Sequence, residues 1–293
     1  MARKIILAIF AIGTLFTLSG AKCSRERVQS VEMMNKCVEY NSRNLFPQAI
    51  RDCTKAISLD PTNDAAYQNL AMVYISTKEY DQAARHLSKA ISLNGTVALW
   101  HYQLGEVYQW SKKPEQALPS LQKAVELDPG LFKAHYRMGV VYEELADPQN
   151  ALQKYTDALM HNSRFFEAYR DLGALYTDYE FFAQAEQVFN EGIKALAGRG
   201  EELAVLYHRL GTVYAEQKEY AKAVDEFKQA LELKPDMEDA MFSLGWSYSY
   251  TNPPNAKIWL DKFVKNANPK TRVDYLSAAS ARLGEISSGT PYK

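Results

Sequence analysis

The side chains that could carry chemistry are few. The chain of 293 residues has five histidines, His86, His101, His135, His161 and His208, and three cysteines, Cys23, Cys37 and Cys53. His101 and His135 invite a metal reading, since imidazole nitrogen is a common ligand for zinc. Glu143 and Glu144 are the residue types of acid–base hydrolysis. Neighbours on a helix diverge by about 100°, however, so the two carboxylates do not face one bond. Gly198-Arg199-Gly200 is the nearest approach to a phosphate-cradling loop. It lacks the preceding strand, and the sequence has no Gly-x4-Gly-Lys-Ser/Thr, no His-Glu-x-x-His and no Cys-x-x-Cys. No catalytic set, no metal site and no cofactor is expected. Thirty-four Lys and Arg against 35 Asp and Glu leave a net charge of -1, without the basic surplus that phosphate backbones require, so nucleic acid is not an expected partner.

The elements that position these side chains are set by a repeat. Small residues recur at Cys37, Ala71, Gly105, Gly139, Gly173, Gly211 and Gly245, at intervals of 34 with one step of 38. Three residues after each stands a tyrosine, from Tyr40 to Tyr248. Twelve residues after six of them comes an alanine, Ala49, Ala83, Ala117, Ala151, Ala185 and Ala223, and the seventh, Ala256, comes one residue early. Apolar residues three and four apart, such as Tyr207, Leu210, Gly211 and Tyr214, mark one face of a helix. The third copy reads Leu104-Gly105-x-x-Tyr108, then Ala117-x3-Leu121, Ala124 and Pro129; the sixth reads Leu210-Gly211-x-x-Tyr214, then Ala223-x3-Phe227, Ala230 and Pro235. This pattern resembles the tetratricopeptide repeat family. The resemblance spans residues 30–269 in seven units, 30–63, 64–97, 98–131, 132–165, 166–203, 204–237 and 238–269.

It implies an all-α fold, a right-handed α-solenoid of helix-turn-helix repeats, with first helices lining the concave side. Residues 271–284 read as a capping helix that covers the last unit through Val273, Leu276, Ala279 and Leu283, within a segment 270–284, and 285–293 as a flexible tail. The terminal units are expected to be atypical: Cys37 and Cys53 occupy core slots in the first, and Asn252-Pro253-Pro254-Asn255 breaks the seventh. The 38-residue step is read as a longer surface turn around Ala197 to Glu202. His101 and His135, in equivalent slots of adjacent first helices with a second helix between them, are expected to pack in place of the signature tryptophan, not to share a metal. The slots of Cys37 and Cys53 are read as offset by about a turn, which favours buried thiols over a disulfide.

The N-terminus carries an address. Arg3 and Lys4 precede an apolar run from Ile5 to Leu18, followed by Ser19-Gly20-Ala21. A basic start, a short apolar core and a small-residue exit describe a secretory signal peptide over residues 1–22, with 23–29 a linker. Cys23 makes the segment resemble a bacterial lipoprotein signal, and it is the lipidation candidate; Lys22 departs from the small residue that motif needs. The protein is expected to be exported, to the periplasm or the periplasmic face of the outer membrane, touching membrane only through such a lipid or an uncleaved anchor.

The resemblance also implies where a partner would bind. Arrays of this family hold proteins or peptides on first-helix residues facing away from the second helix. Those slots contain Tyr102, Glu106, Gln109 and Trp110; Lys133, Tyr136 and Arg137; Arg170; His208; and Phe242, Trp246 and Tyr250. The expected function is a non-enzymatic scaffold outside the cytoplasm, in assembly of an envelope complex such as a pilus/secretin or secretion system.

Overall fold

A computed structural model describes residues 25–288. Among them are fifteen helices and no strand. The chain divides into two compact units, residues 1–147 and 148–293. The first contains α1 (residues 25–42), α2 (Phe46–Leu59), α3 (Asp64–Ser76), α4 (Tyr80–Leu93), α5 (Ala98–Trp110), α6 (Pro114–Leu127) and α7 (Phe132–Glu144). The second contains α8 (Pro148–His161), α9 (Phe166–Asp178), α10 (Phe182–Ala195), α11 (Gly200–Glu216), α12 (Tyr220–Leu233), α13 (Glu238–Thr251), α14 (Pro253–Asn266) and α15 (Val273–Ser288). Within each unit every helix packs on the next in sequence, as hairpins stacked side by side.

The close approach inside each hairpin has a steric cause. A Cβ added to Gly105 would lie 2.5 Å from Leu121, one added to Gly173 2.4 Å from Phe189, and one added to Gly211 2.7 Å from Phe227. The small residue of the first helix therefore receives the large residue that stands 16 positions later on the second. In the first repeat the same two slots hold Cys37 and Cys53, and the structure joins them in a disulfide across 5.3 Å between Cα atoms. The expectation of buried thiols is corrected. The two positions are the directly opposed pair, because Cys37 takes the slot of Gly105 and Cys53 that of Leu121.

Two backbone devices punctuate the hairpins. First helices close with a left-handed residue at Asn44, Lys78, Lys112, Ala146, Glu180 and Lys218, with φ between 57° and 62°. The amide after it donates to the carbonyl of the recurring tyrosine, as in Glu79 N to Tyr74 O (2.8 Å) and Glu219 N to Tyr214 O (2.8 Å). These are Schellman closures, which satisfy terminal carbonyls. The first four second helices, α2, α4, α6 and α8, close on Asp60, Asn94, Asp128 and Asn162, whose side-chain oxygen accepts from the amide two residues on, at 3.0, 3.4, 3.1 and 3.1 Å. Asn94-Gly95-Thr96 is thus one of a series of Asx turns.

Several expectations are corrected. Residues 25–29, read as linker, are helical. The 38-residue step does not lengthen a turn: four residues, 196–199, separate α10 from α11, as four separate α4 from α5, and the extra residues extend α11 to 17. The seventh repeat is not broken. Pro253 and Pro254 sit in the first turn of α14, where a missing N–H costs nothing, and Asn252 both ends α13 and caps α14 by accepting from Asn255 N at 3.2 Å. The turn there shrinks to one residue, which is why Ala256 arrives early. The capping helix runs on to Ser288, through part of the expected tail. Leu276, Ala279 and Leu283 pack on the core, but Val273 is exposed, while Ile286 and the buried Arg282 also face inward. The expected signal peptide, Cys23 and residues 289–293 lie outside the described residues.

Candidate polypeptide-binding faces

The two metal-like histidines serve the turns. His101 Nε2 donates to Gly95 O at 3.1 Å and His135 Nε2 to Pro129 O at 3.0 Å; Tyr169, in the same slot one repeat later, donates to Ser163 O at 3.2 Å. Each ring is buried and ties its helix to the turn before it. Packing was expected, and the hydrogen bond was not. Among the described residues no cluster of three His, Cys, Asp or Glu could hold a metal.

In the first unit, four of the expected groove residues bind one another. Tyr102 donates to Glu106 at 2.6 Å, Arg137 donates to Glu106 at 2.8 Å and to Gln109 at 3.1 Å, and Gln109 donates to Glu144 at 3.0 Å. Tyr102 and Gln109 are buried, which corrects their expected exposure. Burial, then the Glu106 carboxylate, pushes the Tyr102 phenol up, so it stays protonated as a donor. The network joins α5 to α7, and Gln68 donating to Gln103 at 3.1 Å joins α3 to α5. Tyr136 is half-buried, with the Arg137 guanidinium 5.9 Å from its ring. Trp110 and Lys133 remain exposed, the Trp110 ring tilted against Tyr80 at 5.8 Å.

Sequence reasoning missed the apolar side chains beside them. Val28, Val31 and Val38 on α1 and Leu99 on α5 are exposed, with Met34 and Met72 half-buried. Val31, Leu99 and Lys133 share one slot in the 34-residue register, so the register that gave Lys133 would have given the others.

In the second unit the aromatic groove residues are already engaged. Phe242 packs edge-on against Tyr275 of α15 at 4.9 Å, and Arg282 of α15 lies 4.4 Å from the Trp246 ring and donates to the Tyr250 hydroxyl at 2.7 Å. Tyr250 also stacks on Tyr220 at 4.1 Å. The capping helix thus engages the face that Trp246 and Tyr250 were expected to offer, leaving Trp246 half-buried and Tyr250 exposed. Arg170 grips Asp171 through two bonds of 2.6 and 2.9 Å. His208 pairs with Ser243 at 3.2 Å and sits against Phe227. Burial pushes its pKa down to about 4, so the ring is neutral at pH 7. Two clefts flank Arg209, one of about 290 Å³ toward Thr177, Asp178 and Glu216, one of about 490 Å³ toward Asp239, Arg272 and Tyr275. Arg209 is exposed and makes no ion pair among the described residues.

Family models described as tetratricopeptide repeat match residues 43–106, 98–131 and 204–237. The chain carries tetratricopeptide repeats. Solved structures agree with this repeat protein's fold. The C-terminal part of a TPR repeat-containing protein from Cytophaga hutchinsonii superposes with a TM-score of 0.69 at 15% identity, covering 88% of this chain and 100% of that one. A structure concerned with PilF of Pseudomonas aeruginosa gives 0.57 at 20% identity, covering 73% and 96%. YrrB, described as a TPR protein with an unusual peptide-binding site, gives 0.52 at 24% identity, covering 64% and 95%. Curated protein sequences gave no match. A repeat array of this kind is a protein–protein interaction scaffold, and its partner class is protein or peptide.

Proposed function

We propose that this repeat protein is exported and holds a partner polypeptide on its first-helix faces during assembly of a cell-envelope complex of the pilus/secretin or secretion type. The observation that carries the binding half is the set of apolar side chains left exposed on first helices of the first unit, Val28, Val31 and Val38 on α1 and Leu99 and Trp110 on α5. Apolar side chains grouped on one face mark an interaction surface. The charged slots nearby, Glu106 and Arg137, are neutralised by each other, so an uncharged stretch of the partner fits there best.

Two observations support export. The sequence opens with a basic, then apolar, then small-residue segment. Cys37 and Cys53 form a disulfide, a bond that persists in oxidising compartments. The likeness to the PilF structure is one of fold, and it makes pilus assembly one member of the proposed class.

The binding half is tested by crosslinking and pull-down from envelope extracts with the wild type and with Val38→Glu and Leu99→Glu. Loss of the same partner in both variants is expected; recovery unchanged in both would remove this face from the function. The export half is tested by intact mass. Loss of about 21 or 22 residues supports it, and a lipid adduct on Cys23 supports anchoring. A full-length chain would favour a membrane-anchored adaptor, the other reading of the same apolar run.

A further inference from the structure

The first repeat is held together differently from its neighbours. In the third, fifth and sixth repeats a glycine on the first helix receives a leucine or phenylalanine from the second, and in the second repeat Ala71 and Leu87 take those slots, both fully buried. Cys37 and Cys53 fill less space than any of these pairs. Their contact is covalent where the others are packed.

Among the described residues the outer side of the first repeat is left exposed. Leu70 and Val73 of α3, and Leu104 and Val107 of α5, are buried. The corresponding residues of α1, 34 earlier than Leu70 and Val73, are Lys36 and Glu39, both exposed. They form ion pairs along the helix with Glu32 (2.9 Å) and Arg43 (3.2 Å). Exposed pairs of this kind contribute little. Beyond the disulfide, α1 is tied by Ser30, which donates to Ala56 O at 2.8 Å and accepts from Asn63 at 2.9 Å, and by a small core with Leu70 and Val73. In a stack of repeats the end unit opens most easily.

We propose that Cys37–Cys53 is a redox clasp: the oxidised bond holds α1, with its exposed Val28, Val31 and Val38, against opening, and its reduction lets α1 open far more often. Release is thiol–disulfide exchange: a dithiol reductant gives two electrons and two protons, the sulfur–sulfur bond becomes two thiols, and the dithiol leaves as its own disulfide. The crosslink closes a loop of 16 residues. Its loss raises the opening equilibrium of α1 and α2 on the order of a hundredfold, the loop-entropy effect for that length.

The test is hydrogen exchange on the full chain with and without dithiothreitol, with the thiol state of Cys37 and Cys53 checked by alkylation and mass. Faster exchange confined to α1 and α2, with α9 to α14 unchanged, is expected on reduction. Two repaired chains serve as references: Cys37→Gly with Cys53→Leu, the pair of the third repeat, and Cys37→Ala with Cys53→Leu, the pair of the second. Whichever folds is expected to be indifferent to reductant. Free thiols before reduction, a bond that native-state dithiothreitol leaves intact, α1 protection unchanged after reduction, or a repaired chain that responds like the wild type would each overturn the proposal.

Discussion

Gly173→Ala tests whether the hairpins are built on steric room for one large side chain. The added Cβ would lie 2.4 Å from two ring carbons of Phe189. Carbon atoms prefer about 3.5 Å or more, so roughly 1 Å of overlap must be absorbed. The Phe189 ring is fully buried and has little room to yield. Overpacking of this kind costs about 1–3 kcal/mol, against which alanine returns about 1 kcal/mol of helix propensity. A net loss of up to about 2 kcal/mol is expected in urea unfolding followed by circular dichroism. The second repeat already shows a compatible pair, Ala71 with Leu87. Gly173→Ala combined with Phe189→Leu should therefore lose less than the two single changes together, by at least about 1 kcal/mol of coupling. Gly284→Ala is the control, because its Cβ would meet nothing within 4 Å; alanine there should leave stability equal or raised. Strict additivity of the Gly173 and Phe189 changes, or a gain from Gly173→Ala alone, would refute the reasoning.

Three further outcomes follow from the geometry. His208 titrates at about 4 in the folded chain, because burial and then Arg209 disfavour its charge more than Asp239 favours it, while the unfolded value is 6.5. The stability it contributes is complete above pH 6.5 and is lost as pH falls toward 4, by on the order of 3 kcal/mol; melting temperatures between pH 7 and 4 should fall less steeply in His208→Gln than in the wild type. Lys218 sits at φ 61°, a conformation that costs a side chain about 1 kcal/mol, so Lys218→Gly should raise the urea midpoint slightly and Lys218→Val lower it. Arg282→Ala removes the contacts with Trp246, Tyr250 and Glu285; hydrogen exchange across α15 should rise about tenfold or more while α1 to α6 stay as they were.

The hairpins were legible because their cause is local and recurs. A small residue, a tyrosine three later and an alanine twelve later each do one job in every repeat, and seven copies fix the register. What was misread depends on partners that the pattern does not name. The extra residues at Ala197 to Glu202 looked like a turn because two glycines are there, yet Gly200 opens α11, with Glu201 and Glu202 in its first turn, where acidic side chains favour the helix dipole. Pro253 and Pro254 looked like a break because prolines end helices; they also begin them, and Asn252 in front is the cap that decides which. The disulfide was available in the sequence. Setting Cys53 against Leu121 and Phe227, four residues after the signature alanine, puts it opposite Cys37 without any structure.

The binding face was only half legible, and for a different reason. A repeat register identifies the slot that faces away from the second helix, but whether that slot is free depends on what the neighbouring first helix places beside it. Glu106 and Arg137 are 31 residues apart, and Gln109 and Glu144 are 35 apart. Each pair straddles the repeat by a few residues, so side chains from successive repeats meet across the face and consume one another's charge. Arg282 does the same to Trp246 and Tyr250 from beyond the last repeat. Arginine side chains, part of the composition of an interface, here tie helices together: Arg137 joins α7 to α5 and Arg282 joins α15 to α13. Among the described first-helix side chains left exposed are Val31, Val38, Leu99, Trp110 and Lys133 in the first unit and Arg209 in the second. A partner that engages the described first-helix faces meets apolar side chains and Lys133 on the first unit and Arg209 on the second. Substitutions in the paired set should therefore change stability before they change binding, and substitutions in the unpaired set should do the reverse.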